Sequence, residues 1–378
     1  MQDIIVISCI PLLAVINFKH LLNLTMQTHT WIRLPKWLVL IVGMHVAGYP
    51  SLAQKLDVRL IESANEKKID VLVGEKLFTC FLYSDSLQKP VLYPVVTGNG
   101  NTVTRGFPLH TQPGDPTDHP HHIGIWFNFE NVNGLDFWNN SYAIPTEKRQ
   151  AYGWIKTDRI LESSDGKEGR LSYHANWTNQ GNEVLLEETT GFTFSGVFNQ
   201  RVIDRVTTLK ASVDVLFTDA KDGMLAIRLA HALQMPTDKD EKFIDDKGNV
   251  TIVKGGTDSI TTGNYMSSEG QTGDAVWSSR GRWCKVYGKV GKDSVSVVII
   301  DHPANTNYPT FWHARGYGLF AANPLGEKIF TKGNSFKNLQ LKKGEQVTFR
   351  YRVVVDEGAY TLSGEQINHL AEEFGRTK

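Results

Sequence analysis

Along most of this chain apolar and polar residues alternate with a period of two, and that restricts it to β-sheet. Near the C-terminus Val347, Phe349, Tyr351, Val353 and Val355 alternate with Thr348, Arg350 and Arg352, which puts one set on each face of a strand. The same reading gives strands over 56–61, 69–73, 77–83, 89–96, 121–129, 151–165, 169–179, 183–194, 202–217, 224–235, 283–288, 295–301, 311–320 and 339–357. Gly74 and Glu75 read as a hairpin turn, and Lys342 to Glu345 as the turn inside the last strand pair. One helix is expected, at the end, where Ser363 and Gln366 form a capping box and Ile367, Leu370, Ala371 and Phe374 make an apolar stripe. Many short strands with a single helix predict an all-β fold. The segment 54–378 is long for an ordinary sandwich, so a large antiparallel β-sandwich, a supersandwich with a short C-terminal helix, is expected as one domain.

The first 53 residues read as an address. Arg33 and Lys36 precede the apolar run Trp37 to Val46, and Ser51, Leu52 and Ala53 form a small-x-small site. This order predicts a secretory signal cleaved after Ala53, with Met26 as an alternative start, and hence a secreted or periplasmic protein with no stable span in the mature chain. Cys80 and Cys284 remain after cleavage; each lies in an apolar strand context, so both are expected to be unpaired thiols. A formal net charge of zero argues against a nucleic-acid partner.

Chemistry concentrates between Arg105 and Trp138. Pro108, Pro113, Gly114, Pro116 and Pro120 exclude regular structure before His121, so His110, Asp115, Asp118 and His119 lie on a loop. The run that follows places Ile123, Ile125, Phe127 and Phe129 on a core face, and His122, Gly124, Trp126 and Asn128 on the opposite, polar and aromatic face, with Gly124 leaving room for a close approach. Asp136 and Trp138 lie beyond the next turn. A second cluster runs from His302 to Gly326: His313, Arg315 and Tyr317 share one face, and Asn323 precedes Pro324. His231, among Leu225, Ile227, Leu229 and Leu233, reads as a core histidine. The polar segment from Pro236 to Asp274 reads as a surface excursion, a lid or an edge hairpin.

The runs TRGFPL, GDPTDHPHHIGIWF and VNGLDFW, together with HARGYGLFAANPLGE and the closing LKKGEQVTFRYRVVVDEG, resemble the bacterial family DUF6807. That family is often labelled methane oxygenase PmoA. The membrane subunit behind the label requires several apolar spans of about 20 residues; this chain has no such set, and the label does not fit it. The Lys-Gly-Glu turn leading into a long strand is similar to the ending of galactose mutarotase-like domains. That resemblance implies a concave sheet face presented to a sugar, with histidines and a carboxylate projecting from it.

Three functions are compatible with these residues. An exported carbohydrate-active enzyme, of epimerase, lyase or hydrolase type, would use Trp126 and Trp138 as an aromatic platform, with Asn128, Arg315, Tyr317 and Asn323 on the hydroxyls of a sugar or oligosaccharide. His122 or His313 would move protons, with Asp118 or Asp136 as the carboxylate partner. A metal-dependent enzyme would use the His119-x-His121 pair, completed by His110, Asp115 or His302, to hold zinc, iron or copper. Pro120 constrains that pair. The third is a non-catalytic glycan-binding protein.

Overall fold

The computed structural model describes residues 54–112, 114–244, 250–253 and 260–377; the expected leader lies outside them. The strands are β1 (Val58–Ser63), β2 (Lys68–Val73), β3 (Lys76–Leu82), β4 (Val91–Val95), β5 (Ile125–Phe129), β6 (Trp154–Ser164), β7 (Gly169–Thr178), β8 (Val184–Gly196), β9 (Gln200–Ala211) and β10 (Val215–Phe217). They continue as β11 (Gly223–Arg228), β12 (Glu241–Ile244), β13 (Val250–Val253), β14 (Asn264–Ser267), β15 (Trp283–Val290), β16 (Asp293–Asp301), β17 (Phe311–Arg315), β18 (Leu319–Asn323), β19 (Leu339–Leu341) and β20 (Gln346–Gly358). Two helices follow β18 and β20: α1 (Glu327–Phe330) and α2 (Gly364–Gly375).

Among the described residues these strands form two eight-stranded antiparallel sheets. The first has the order β1-β2-β3-β4-β5-β11-β18-β17, and the second β14-β15-β16-β20-β9-β8-β7-β6. This is the expected all-β sandwich. Ile125, Phe127 and Phe129 of β5 face Trp177, Phe349, Tyr351, Val353 and Val355 of the second sheet in one core, as period-two alternation requires. The remaining strands pair as two ribbons, β10 with β19 and β12 with β13. The latter is a separate antiparallel pair inside the polar excursion.

Helix α2 lies on the outer face of the second sheet. Its Ile367 and Phe374 are buried against Val298, Ile300, Val354 and Trp283, with Leu370 and Ala371 at the margin. The capping box is formed in full, with the Ser363 side chain accepting from the Gln366 amide. Two such side chains stabilise the docking by about 1.5–3 kcal/mol each. Within the described residues no helix is long and apolar enough to cross a membrane.

Several local expectations need correction; the run 202–217, for one, splits into β9 and β10, which lie in different sheets. The turn from Lys342 to Glu345 is present, but β19 pairs with β10 while β20 pairs with β16 and β9, so the turn joins two sheets and closes no hairpin. The run 311–320 is not one strand: Gly318, at φ 89°, lets it fold back between β17 and β18, and the extended reading missed that turn. The strand expected over 224–235 ends at Arg228, and His231 opens a 3₁₀ turn, half-buried at the rim. Cys80 and Cys284 are both buried free thiols.

Candidate functional site

The site is built on the outer face of the first sheet, where β5, β11, β18 and β17 lie side by side. Trp126 pairs across to Ala226, Ala226 to Ala321, and Ala321 to His313, so these four residues form one row. Leu225, Ile227 and Leu229 turn into the core; Arg228 therefore projects from the outer face. The proline-rich loop 105–122 folds over that face, and Arg105 holds it there. Its Nη1 donates to the carbonyls of Pro116 and Asp118 and to Asp118 Oδ1, at 3.0, 2.7 and 2.8 Å. Its Nη2 donates to the carbonyls of His119 and His122 at 2.9 and 3.2 Å.

Asp118 is the hub of the site. Its Oδ1 accepts from Arg105 and from Arg228 Nη2, each at 2.8 Å, and its Oδ2 is hydrogen-bonded to His119 Nδ1. Burial opposes the charge on Asp118, but His119, Arg228 and Arg105 together outweigh it and hold the carboxyl well below the usual carboxylate range.

The rings then stack from surface to interior. Tyr317 lies parallel to His119 at 5.6 Å, His119 to His122 at 4.9 Å, and His122 to Trp126 at 5.1 Å and 19°. Trp138 closes the inner end with its edge against His122 and Trp126. Exposure falls steeply along the column: the His119 side chain is 45% exposed, whereas His122 is 1% and Trp126 0% exposed. Burial first, then the positive charges of Arg105, Arg228 and, for His121, Lys89, push His121 and His122 well below the ordinary imidazole value. Both rings are therefore neutral. Burial also brings Lys89 down to about 7; its Nζ donates to Asn140 Oδ1 at 2.8 Å.

Tyr317 is also a wall of an open pocket of about 600 Å³, lined besides by Trp277, Arg315, Lys239, Asp238 and Asp274. The Arg315 guanidinium lies 5.5 Å from the Trp277 ring and 6.0 Å from that of Tyr317, so an exposed cation stands between two aromatic faces. The pocket and the histidine column thus share one residue.

The structure brings together some predicted site residues and separates others. His119, His121, His122, Asp118, Trp126, Trp138, Tyr317 and Arg315 fall in one neighbourhood. His313 shares the outer face but lies three strands from Trp126, with Nδ1 3.2 Å from Asp222 Oδ1 and its ring against Phe330. Trp126 and Trp138 are sealed beneath His122 and offer no open platform; Trp277 and Tyr317 do. Asp136 caps a turn, accepting from the amides of Trp138 and Asn139. Asn323 donates to the carbonyls of Ala220 and Lys221, and Asn128 to that of Phe137; these amides hold backbone. Gly124, at φ +55°, makes room for a carbonyl, since a Cβ there would lie 2.1 Å from Leu92 O. Its conformation also breaks the alternation, which is why Ile123 packs with Trp126 on the outer face.

The ligand set expected for a metal does not assemble. His119 has φ 47°, and the His122 amide donates to its carbonyl at 3.0 Å, so residues 119–122 form a turn in place of the extended pair. His110 is exposed and stacks on Tyr93. Asp115 Oδ2 accepts from the amides of Gly106, Phe107 and Gln112. His302 packs on Phe374 of α2, against the second sheet. No group of three or more His, Cys, Asp or Glu side chains suited to a metal ion occurs among the described residues.

The model of a family of unknown function, DUF6807, matches residues 68–372. The chain belongs to DUF6807. No curated protein matches it in sequence. Similar solved structures include the Slr1438 protein of Synechocystis sp. PCC 6803, at 9% identity and TM-score 0.32 over 80% of this chain and 96% of that one. A galactose mutarotase-like protein from Clostridium acetobutylicum matches at 10% identity and TM-score 0.34 over 80% and 99%. A polysaccharide lyase matches at 12% identity and TM-score 0.31 over 78% of this chain and 34% of the lyase, so the chain spans about a third of that protein. Scores this low carry no argument about the chemistry of the DUF6807 chain.

Proposed function

We propose that this DUF6807 protein acts on a carbohydrate seated against Tyr317, Arg315 and Trp277, with His119 as the proton-transferring group. The observation that carries the reading is the His119–Asp118 pair. A histidine that donates Nδ1–H to a fixed, ionised carboxylate keeps Nε2 as a proton acceptor. Here the carboxylate is fixed by two guanidiniums and the imidazole stands at the surface, in ring contact with Tyr317 of the pocket. His121 and His122 are covered in this conformation, so His119 is the ring that meets the pocket. Aromatic faces flanking a guanidinium suit a sugar ring, whose C–H faces stack while its hydroxyls accept and donate. A volume of about 600 Å³ fits a mono- or disaccharide.

A panel of mono- and disaccharides tests this, read by isothermal titration and by product formation. Saturable binding that weakens at least about tenfold in Tyr317→Ala and Arg315→Ala supports the pocket. Turnover lower by about 10²–10⁴ in His119→Gln, with binding retained, supports the proton-transfer role. Binding without turnover in the wild type would make it a glycan-binding protein. No binding to any sugar would reject the reading. We further propose export, with cleavage after Ala53; N-terminal sequencing of the secreted or periplasmic chain reads that boundary directly.

A further inference from the structure

Beneath Tyr317 the outer face holds an accumulation of polar atoms that the protein does not satisfy. Arg228 is 0% exposed, yet its guanidinium makes one side-chain hydrogen bond, from Nη2 to Asp118, while Nε and Nη1 have no partner within the protein. His121 Nε2, both ring nitrogens of His122, Trp126 Nε1 and Arg105 Nε are likewise buried and unpartnered. Buried polar atoms without partners each cost free energy, and seven in one neighbourhood indicate a site built for something else.

The charges in the cluster have one sign in excess. Lys89, Arg105 and Arg228 are all buried, and among the described residues Asp118 is the only carboxylate bonded to any of them. Arg105 spreads its charge over four backbone carbonyls and Lys89 donates to Asn140 alone; Arg228 has no such compensation. The next carboxylates, Asp115 and Asp136, are engaged by backbone amides. A buried guanidinium with free donors beside a shared carboxylate is complementary to an oxyanion. Access is through the Tyr317 ring, which covers the Arg228 guanidinium at 4.8 Å and sits between Gly316 and Gly318 at the tip of the β17–β18 turn.

We infer that the ligand of this face carries an oxyanion, a carboxylate or a phosphate ester, and that Arg228 receives it when the Tyr317 ring moves aside. This rests on the carbohydrate reading of the same face and narrows it to acidic sugars.

The test titrates the full chain with three hexoses, glucose, galactose and mannose, each beside its uronic acid and its 6-phosphate. Acetate and inorganic phosphate, at matched ionic strength against chloride, are added as thermal-shift probes. The inference predicts that one acidic series binds about tenfold or more tighter than its neutral hexose. The uronate series points to a carboxylate, the phosphate series to an ester. It also predicts that Arg228→Lys removes most of that preference. Because Arg228 is buried, Tyr317→Phe, which keeps the cover, and Tyr317→Ala, which removes it, supply a second readout: acetate or phosphate should stabilise the Ala variant at lower concentration than the wild type. Neutral hexoses binding as tightly as the acidic ones would overturn the inference and leave the carbohydrate reading standing. Stabilisation by acetate or phosphate with no sugar bound would keep the oxyanion site and reject the carbohydrate. No response to any acidic probe overturns the inference.

Discussion

Two buried charge clusters in this protein use similar residues and end in opposite states. Between the sheets, Glu188 accepts from Tyr173 Oη at 2.7 Å, Trp177 Nε1 at 2.8 Å and Arg205 Nη2 at 2.9 Å. Arg205 also donates from Nε to Thr207 at 2.8 Å and lies over the Phe127 ring at 4.7 Å. None of these side chains has a buried polar atom without a partner. On the outer face, Asp118 gathers Arg105, Arg228 and His119, but donors on Arg228 and acceptors on His122 are left over. The closed network only has to tie β7, β8 and β9 of the second sheet together and meet the first sheet at Phe127. The open one keeps unspent hydrogen-bonding capacity beside a pocket, where structural demands alone would have removed it.

The largest effect expected from this contrast falls on the closed network. Glu188→Gln leaves the Arg205 charge between the sheets without its counter-ion, and should lower unfolding free energy by about 3–5 kcal/mol in urea titration. A loss below about 1 kcal/mol would show that the network is not the fully paired cluster described.

Proton linkage separates the clusters next. His121 and His122 have folded pKa values well below that of the unfolded chain. Their contribution to stability is complete above the unfolded value and is lost as pH falls through it toward the folded one. Two such groups give a slope of up to about 2.7 kcal/mol per pH unit below about pH 6.5. Asp118, also depressed, loses its contribution only as pH falls below about 4. Urea midpoints at pH 7.5, 6.5 and 5.5 should therefore fall less steeply over the lower interval in His122→Phe than in the wild type. An unchanged slope in the variant would remove His122 from the account.

The smallest stability effect is the most telling. The His122 ring has no hydrogen-bond partner within the protein and stacks flat, so His122→Phe at pH 7.5 should shift stability by less than about 1 kcal/mol. Tyr173→Phe, which strips a bonded hydroxyl from the closed network, should cost about 1–1.5 kcal/mol. The reverse order would contradict the distinction between the two clusters.

Much of this organisation was legible in the chain because alternation is a local signal. Period two placed Ile125, Phe127 and Phe129 inside and Trp126 and Asn128 outside, and the Ser363–Gln366 box placed the helix. The same rule applied to Leu225, Ile227 and Leu229 puts Arg228 outside, so its position could have been read, though not its partner. What joins Arg228 to Asp118 is a contact between residues 110 apart, and no local pattern records it. The left-handed turn at His119 broke the extended geometry on which the metal reading depended. Trp126 and Trp138 are expected as a platform because alternation gives a face and not what covers it; Trp277, open beside Tyr317, lies in a segment whose sequence looks like loop.

The most direct test is a structure of the full chain with a sugar or sugar acid bound. The account predicts the ligand between Trp277, Arg315 and Tyr317, with a hydroxyl or oxyanion within hydrogen-bond reach of His119 or Arg228. A ligand seated instead in the groove of about 520 Å³ between α2 and the second sheet, lined by Arg170, Ser195, Asp204 and Arg352, would contradict it.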